Sequence, residues 1–319
     1  MPGAPLSARA RAYAPGGIGN LGPGVDVLGC AVTGAGDVVE AEWSERDGGA
    51  RVIVVEPGHA ELPVDPARHA AAIAATAVLR LAGLTPERAI ALRITKGLPL
   101  AGGQGGSAAS AVAGAVATNA LLGSPLDTLA LLEAALEAES RVAGRHADNV
   151  APALLGGVVL VRALDPLDVV RVPAPAELRI VLVQPAQRLR TADARNVLPA
   201  TVERGIALQQ GANIAAMILA LGAGDVELLR RALDDRIAEP ARTPLLPGFA
   251  EAKRAALDAG AAGCSISGAG PTSFAFAIDD ATASRIARAM CEAYASRDVA
   301  ATARVARIDL QGAQVVTRE

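Results

Sequence analysis

Three glycine-rich segments, at residues 15–26, 99–109 and 265–272, constrain what this chain can fold into. Glycine adopts backbone conformations that other residues avoid, and it lets backbone N–H groups approach an anion closely. The second segment runs directly into a pattern typical of a helix, so the N-terminus of that helix would face whatever the loop holds. Three such loops in one chain predict a protein that binds a polyphosphate together with a second small molecule.

The composition argues against several other classes of protein. Hydrophobic residues make up 51% of the 319 residues and charged residues 20%, which predicts a packed core rather than disorder. A net charge of −3 and an aromatic content of 2% argue against a nucleic-acid partner. Cys30, Cys264 and Cys291 are too few and too far apart for a disulfide framework or a zinc site, and suit a reducing compartment such as the cytoplasm. Neither a signal peptide nor a membrane span is predicted.

The pattern along the chain predicts strands and helices mixed in both halves. Strands are predicted at residues 9–14, 37–43, 50–55, 89–95, 158–162, 178–183, 264–267, 273–278 and 303–310. Helices are predicted at residues 66–82, 107–122, 199–221, 226–237, 248–259 and 281–294, with Ser107 as the cap of the second of them. Another helix is predicted to start at Pro125 and Asp127, with Leu129, Leu132 and Leu136 on one face and Glu133, Glu137 and Glu139 off it. Three prolines between residues 165 and 175 indicate a boundary. The chain is therefore predicted to form two α+β domains, residues 1–170 and 171–319.

The first loop contains the pattern G-I-G-N-L-G at residues 17–22, which matches the dinucleotide-binding pattern G-x-G-x-x-G. That pattern needs a helix directly after it, whereas Pro23 and Gly24 interrupt the chain here. A nicotinamide or flavin site is therefore disfavoured. Glycines that serve only tight turns are the plainer alternative, although they leave the polar pair Asn20 and Asp26 unexplained.

The second loop lacks the lysine of the Walker A pattern, which argues against a P-loop NTPase. What remains is a glycine cradle that ends in Ser107 at the start of a helix. Its backbone N–H groups could hold phosphate oxygens, and the Ser107 hydroxyl could reach a Mg²⁺ ion. The alternative is a serine that only caps the helix.

The three loops, in this order and spacing, resemble the motifs of the GHMP kinase family, which comprises galactose, homoserine, mevalonate and phosphomevalonate kinases. The stretches at residues 20–26, 146–157, 191–199 and 239–249 are similar to those of the family's homoserine kinase branch. The resemblance covers nearly the whole chain. It implies an α+β, two-domain GHMP kinase fold, with an N-terminal ribosomal-protein-S5-like domain, a C-terminal ferredoxin-like domain and an active site between them.

The resemblance further implies an ATP-dependent kinase that phosphorylates the side-chain hydroxyl of L-homoserine in threonine biosynthesis, as a homodimer. ATP would be bound by Pro99, Gly102, Gly103, Gly105, Gly106, Ser107, Ala108, Gly268 and Gly270. Homoserine would be held by Asn20, Asp26, His146, Asp148, Asn149, Arg195 and Arg242. Mg²⁺ would be shared by Ser107 and Glu139, with Glu137 as the alternative ligand.

These residue types suit an amino-acid substrate. A carboxylate, from Asp26 or Asp148, can bind the ammonium group, and the guanidinium groups of Arg195 and Arg242 can bind the carboxylate. A mevalonate-type kinase fits less well, because mevalonate carries no ammonium group. The catalytic residues implied by the resemblance are Ser107, Asn149 and Arg195.

Two departures from the family pattern bear on mechanism. In the mevalonate branch an aspartate near the position of Asn149 is regarded as the catalytic base, and an asparagine cannot take a proton. The hydroxyl is therefore expected to attack the γ-phosphate directly, without a protein base. In the second loop Gln104 replaces an apolar residue and Gly106 replaces a serine. These changes keep open the alternative of a non-catalytic sensor of a metabolite or nucleotide.

Overall fold

The computed structural model describes residues 7–45 and 51–319. The predicted strand at residues 50–55 starts at a residue outside this part of the chain, and the strand observed there is Val52–Glu56. Most predicted elements are present within a few residues of their expected bounds. Strands and helices are mixed in both halves, so the predicted α+β class is confirmed.

The first sheet has seven strands in the described part of the chain. In chain order they are β1 (Arg9–Gly19), β2 (Leu28–Trp43), β3 (Val52–Glu56), β4 (Ile90–Thr95), β5 (Val158–Leu164), β6 (Leu167–Val172) and β11 (Gln314–Arg318). The order in space is β11-β1-β2-β4-β3, with β5 paired to β2 and β6 to β5. The strand β11, which sequence patterns missed, brings the C-terminal end of the chain back to β1.

The helices of this half are α1 (Ala70–Leu81), α2 (Gly106–Leu121), α3 (Thr128–Val142) and α4 (Val150–Leu155). Nearly all of α2 is buried, and its small side chains let neighbours come close: a Cβ on Gly114 would lie 2.6 Å from the carbonyl oxygen of Ala71. The prediction that Ser107 caps α2 is wrong, because the cap is Gly105 in the left-handed conformation (φ 69°). Ser107 is instead a residue of the first turn.

The second sheet is antiparallel in the order β10-β7-β9-β8. Its strands are β7 (Arg179–Pro185), β8 (Cys264–Ile266), β9 (Ser273–Ala277) and β10 (Ala301–Arg307). The helices of this half are α5 (Thr191–Asn196), α6 (Arg204–Ala223), α7 (Val226–Ala232), α8 (Ala238–Arg242), α9 (Phe249–Asp258) and α10 (Asp280–Ala295). The pairing of β8 with β9 confirms the strand pair predicted around the third glycine loop. The division of the chain at residue 170 stays a prediction.

Within the described residues one helix, α6, has the length and apolar composition of a membrane span, with a mean hydropathy of 1.5. A single helix of this kind is weak evidence, and polar side chains attach α6 to the rest of the protein. Gln210 donates to the carbonyl oxygen of Pro23 (2.7 Å), and Asn213 donates to that of Asp234 (2.7 Å). These contacts make α6 part of the folded body, so no membrane partner is indicated.

Candidate active site

A cleft of about 370 Å³ opens where the three glycine loops meet. It is lined by nearly all the residues that the sequence singled out: Asn20, Asp26, Pro99, Gly102, Gly103, Gly105, Gly106, Ser107, Glu139, His146, Asp148, Asn149, Arg195, Arg242, Gly268 and Gly270. Ala108 is not among the lining residues, and its side chain is fully buried in α2. Residues up to 250 positions apart in the chain therefore share one cavity, as is common in small-molecule sites.

Direct hydrogen bonds hold the loops together at this cleft. The backbone N–H of Gly268 donates to the carbonyl oxygen of Gly19 (3.0 Å), and the Ser267 hydroxyl donates to that of Gly103 (2.6 Å). Gly103 has a φ of +74°, and a Cβ there would lie 2.6 Å from the carbonyl oxygen of Ser267. Only glycine fits this position, because both the conformation and the space exclude a side chain.

The second loop presents the N-terminus of α2 to the cleft. Gly105, Gly106 and Ser107 line the cavity, and the first turn of the helix contains no acidic residue. The first N–H groups of a helix have no partner within it, and the helix dipole makes this end attractive to anions. The loop is therefore suited to bind phosphate groups.

Lys96, at the end of β4, is a cleft residue that sequence reasoning missed. Its ammonium group pairs with the fully buried Asp37 and donates to the Gly106 carbonyl oxygen (3.0 Å) and to the Ser110 hydroxyl (3.0 Å). Lys96 thus stabilises the start of α2, where the second loop ends. The available signal was that Lys96 is one of only two lysines in the chain, next to the second loop.

Glu139 lies on the inner side of α3, with 2% of its surface exposed. Burial raises the pKa of its carboxyl group, whereas His146 and a hydrogen bond from Ser107 act to lower it. Its Oε2 atom is buried and has no hydrogen-bond partner among residues 7–45 and 51–319. The alternative, Glu137, lies on the outside and pairs with Arg80 (2.6 Å) and Arg141 (2.8 Å).

Asp148 joins several polar groups in the cleft. Its carboxylate accepts a hydrogen bond from the backbone N–H of Asn20 (2.9 Å) and contacts His146 Nδ1 (3.1 Å) and Asn149 Nδ2 (3.4 Å). Burial lowers the pKa of His146, but Asp148 and Glu139 outweigh this effect and raise it. Gly19 leaves room for this cluster, since a Cβ there would lie 2.6 Å from Asn149 Nδ2.

The first loop is held in an unusual backbone conformation. Asn20, Leu21 and Asp26 have positive φ angles of 67°, 46° and 61°, which residues other than glycine rarely adopt. Such strain persists where surrounding contacts impose it, commonly at ligand sites. Here the Asn20 side chain is fixed by donating to the Gly268 carbonyl oxygen (2.8 Å) and by accepting from the Asp26 N–H (3.1 Å).

Asp26 and Arg195 form a two-contact ion pair at the edge of the cleft, with nitrogen–oxygen distances of 2.7 and 3.3 Å. Burial lowers the pKa of Arg195, but the hydrogen bond and charge of Asp26 outweigh it and raise the pKa. A second guanidinium group, that of the buried Arg242, donates to the carbonyl oxygens of Gly268 (2.8 Å) and Ala194 (3.1 Å). The cleft therefore offers both charges that an amino acid needs.

The donor set suits Mg²⁺ better than a transition metal. In the described part of the chain no group of three or more histidine, cysteine, aspartate or glutamate side chains is arranged to hold a metal. Mg²⁺ prefers oxygen ligands and usually takes only one or two from the protein, with phosphates and water supplying the rest. The Ser107 hydroxyl and the unpartnered Oε2 of Glu139 fit this description.

Comparison with known proteins identifies the family of this chain. Residues 69–157 match the GHMP kinases N-terminal domain, and residues 217–296 match the GHMP kinases C-terminal family. The chain is 42% identical to homoserine kinase of Chlorobaculum tepidum over 94% of this chain and 96% of that protein. It is 40% identical to homoserine kinase of Arabidopsis thaliana over 98% of this chain and 86% of that protein.

Solved structures agree. The crystal structure of homoserine kinase from Cytophaga hutchinsonii superposes with a TM-score of 0.92, at 39% identity over 98% of this chain and 99% of that one. The L. major mevalonate kinase in complex with R-mevalonate reaches 0.70 at 15% identity, over 97% of this chain and 99% of that one, and shares the fold alone. The predicted GHMP kinase fold is thus confirmed. With this identity to homoserine kinases along nearly its whole length, the chain belongs to the GHMP kinase family, in the homoserine kinase branch.

Proposed function

We propose that this kinase transfers the γ-phosphoryl group of ATP to the side-chain hydroxyl of L-homoserine, giving O-phospho-L-homoserine and ADP, as a step of threonine biosynthesis. One observation carries this proposal: a helix N-terminus suited to phosphate and a set of charges suited to an amino acid open on the same cleft. The names of the relatives, all homoserine kinases, support the same substrate.

On the nucleotide side, the backbone of residues 102–106 would bind the phosphates of ATP against the start of α2. Ser107 and Glu139 would hold Mg²⁺, which neutralises phosphate charge when bound. The burial of Glu139 keeps this carboxylate away from competing surface cations. Its Oε2 atom, which has no hydrogen-bond partner in the described part of the chain, would gain one in the metal ion.

On the substrate side, Arg195 and Arg242 would bind the carboxylate of homoserine, and Asp26 or Asp148 its ammonium group. The Asp26–Arg195 ion pair must open or share its charges as the substrate enters. A zwitterion can compensate both partners at once, whereas an alcohol without an ammonium group would leave Asp26 unpaired. This difference disfavours the mevalonate-type alternative.

The reaction needs no protein base in this proposal, since the proton of the attacking hydroxyl would pass to an oxygen of the transferred phosphoryl group as ADP leaves. Asn149 cannot accept a proton, and both oxygens of Asp148 are engaged by its neighbours. Phosphoryl transfer passes through a loose transition state, so positioning of the hydroxyl and charge neutralisation matter more than strong deprotonation.

We expect Asp148→Asn to lower kcat/KM for homoserine about tenfold or more, because a charged hydrogen-bond acceptor is lost. Any acidic limb of the pH–rate profile should be retained, displaced at most toward lower pH because the His146 pKa falls when the Asp148 charge is removed. The measurement is kcat and kcat/KM against pH for both proteins. If the variant loses an acidic limb that the wild type shows, while homoserine binding is intact, Asp148 is a base and the mechanism is wrong.

The substrate assignment is tested by coupled ADP release from Mg-ATP with L-homoserine, mevalonate, galactose, L-threonine or no acceptor. Turnover restricted to homoserine is the expected result. Turnover with mevalonate instead would favour the alternative kinase. Nucleotide binding without turnover on any acceptor, in folded protein, would favour a sensor.

We further propose that the protein is a cytoplasmic homodimer. All three cysteines are free, as suits a reducing compartment. The outer face of α6 exposes Leu208 and Leu219 by 67% and 66%, and burial against a second copy would remove this apolar face from water. We expect light scattering to give the mass of a dimer and Leu219→Glu to halve it. Leu129→Glu, at a half-exposed leucine of α3, should leave the mass unchanged; equal masses for both variants and the wild type would contradict the role of α6.

A further inference from the structure

Gln104, which stands where the family motif has an apolar residue, is buried and does not line the cleft; its side chain contacts the second sheet and the third loop. Only 5% of its surface is exposed. Its Nε2 donates to Gln184 Oε1 on β7 (3.2 Å) and to Thr272 Oγ1 in the third loop (3.4 Å). Its Oε1 accepts a hydrogen bond from Arg304 on β10 (2.9 Å). One side chain of the second loop thus contacts two strands of the second sheet, β7 and β10.

Arg304 depends on this contact. One of its terminal nitrogens donates to Gln104 and the other to the carbonyl oxygen of Thr33 on β2 (2.7 Å). Burial lowers the pKa of Arg304. The two hydrogen-bond acceptors of its guanidinium group in the described part of the chain, Thr33 and Gln104, are both neutral. An apolar residue at position 104 would remove the neutral acceptor from a guanidinium group largely shielded from water, which is unfavourable.

The backbone on both sides of Gln104 is flexible, so the contacts of its side chain affect the conformation of the whole loop. Gln104 lies between Gly103 (φ +74°) and Gly105 (φ +69°), both in the left-handed conformation. Glycine leaves the backbone free to adopt many other conformations, so these two residues do not by themselves hold the loop in one shape. The carbonyl oxygen of Gln104 also accepts the N–H of Gly17 in the first loop (3.1 Å). Holding residue 104 in place therefore restricts the directions in which the backbone N–H groups of the neighbouring glycines can point.

We propose that Gln104 is a positioning residue that, with Gln184 and Arg304, forms a polar latch holding the phosphate-binding loop to the second sheet. Nucleotide affinity in this protein then depends on side chains that touch neither the nucleotide nor the substrate. The proposal rests on the proposed function, since the loop must be the one that binds nucleotide phosphates.

The test is binding of Mg-ADP by titration calorimetry, which does not require turnover. We expect Gln104→Met, which keeps the length of the side chain, to weaken Mg-ADP binding about tenfold, because the loop is no longer held in its binding conformation. Arg304→Met should weaken it in the same direction. The double variant should bind no worse than the weaker single variant, because both changes break the same contact. The KM for homoserine should stay within about twofold of the wild-type value, which separates the latch from a general loss of structure.

Gln210→Met is the matched control. Gln210 is a glutamine of similar burial whose side chain also links the two halves of the chain, and its hydrogen-bond partners among the described residues, Pro23, Asp235 and Arg236, all lie outside the second loop. Its loss should leave Mg-ADP affinity unchanged. Gln184 is partly exposed, so Gln184→Met serves as the deciding variant if Gln104→Met does not fold.

The outcomes separate the two proposals. Wild-type affinity for Mg-ADP in folded Gln104→Met, or additive losses in the double variant, would overturn the latch and leave the proposed function intact. A wild-type protein that binds no Mg-ADP would overturn the proposed function, and the latch with it.

Discussion

Replacing Glu139 by glutamine is expected to lower kcat about a thousandfold, because the carboxylate proposed to hold Mg²⁺ is lost while the size of the side chain is kept. Glu139 is buried, and its Oε2 atom has no hydrogen-bond partner among the described residues, so this oxygen is available to a bound cation. The other proposed ligand, the Ser107 hydroxyl, is unchanged in this variant. The measurement is coupled ADP release at saturating ATP and homoserine over a range of Mg²⁺ concentrations.

Glu137→Gln is the control, because Glu137 lies two residues away on the same helix and pairs with Arg80 and Arg141 at the surface. Surface ion pairs contribute little, so this variant should keep the wild-type kcat and Mg²⁺ dependence. Loss of activity in Glu137→Gln with a normal Glu139→Gln would reverse the assignment of the metal ligand.

Arg195→Met is expected to raise the KM for homoserine by about two to three orders of magnitude, since a guanidinium group that binds a carboxylate is worth several kcal/mol when partly desolvated. The KM for ATP should change little, because Arg195 lies on the substrate side beside Asp26. Both partners of that ion pair are partly exposed, so the unpaired Asp26 remains hydrated and the variant should fold. Initial rates with each substrate varied in turn measure the two constants.

Arg190→Met controls for the loss of a positive charge near the cleft. Arg190 precedes α5, is largely exposed and pairs only locally with Asp193 (2.8 Å). Its removal should change neither KM by more than about twofold. A comparable rise in the KM for homoserine in both variants would mean that general electrostatic attraction, rather than direct binding by Arg195, holds the substrate.

Local patterns predicted the parts of the fold that local physics controls. Asp127 was expected at the start of α3, and its side chain accepts the N–H of Ala130 (2.9 Å), as an N-cap residue does. The strand pair around the third loop follows from two short apolar runs joined by glycine. The cap of α2 was predicted wrongly, because a serine at a helix start is a common cap, whereas here the left-handed Gly105 takes that place.

The side of a helix that is buried was harder to predict. Glu139 was expected off the apolar face of α3, together with Glu133 and Glu137. In the structure Glu139 is buried and lines the cleft, with its Oε1 atom 3.9 Å from His146 Nε2. Its side chain therefore faces the cleft rather than the hydrophobic core. A hydrophobic pattern cannot distinguish a carboxylate that faces a functional cavity from one that faces solvent.

By itself, the sequence determined the three loops, the types of residue available for phosphate and amino-acid binding, and most helices and strands. These features depend on backbone freedom, side-chain chemistry and spacing over a few residues. Only the tertiary structure decided which groups meet: Arg195 with Asp26, Lys96 with the buried Asp37, and Gln104 with Arg304. These partners are 59 to 200 residues apart, and the fold brings them together through the packing of two sheets. No local pattern encodes such contacts, because their energy depends on burial that exists only once the chain has folded.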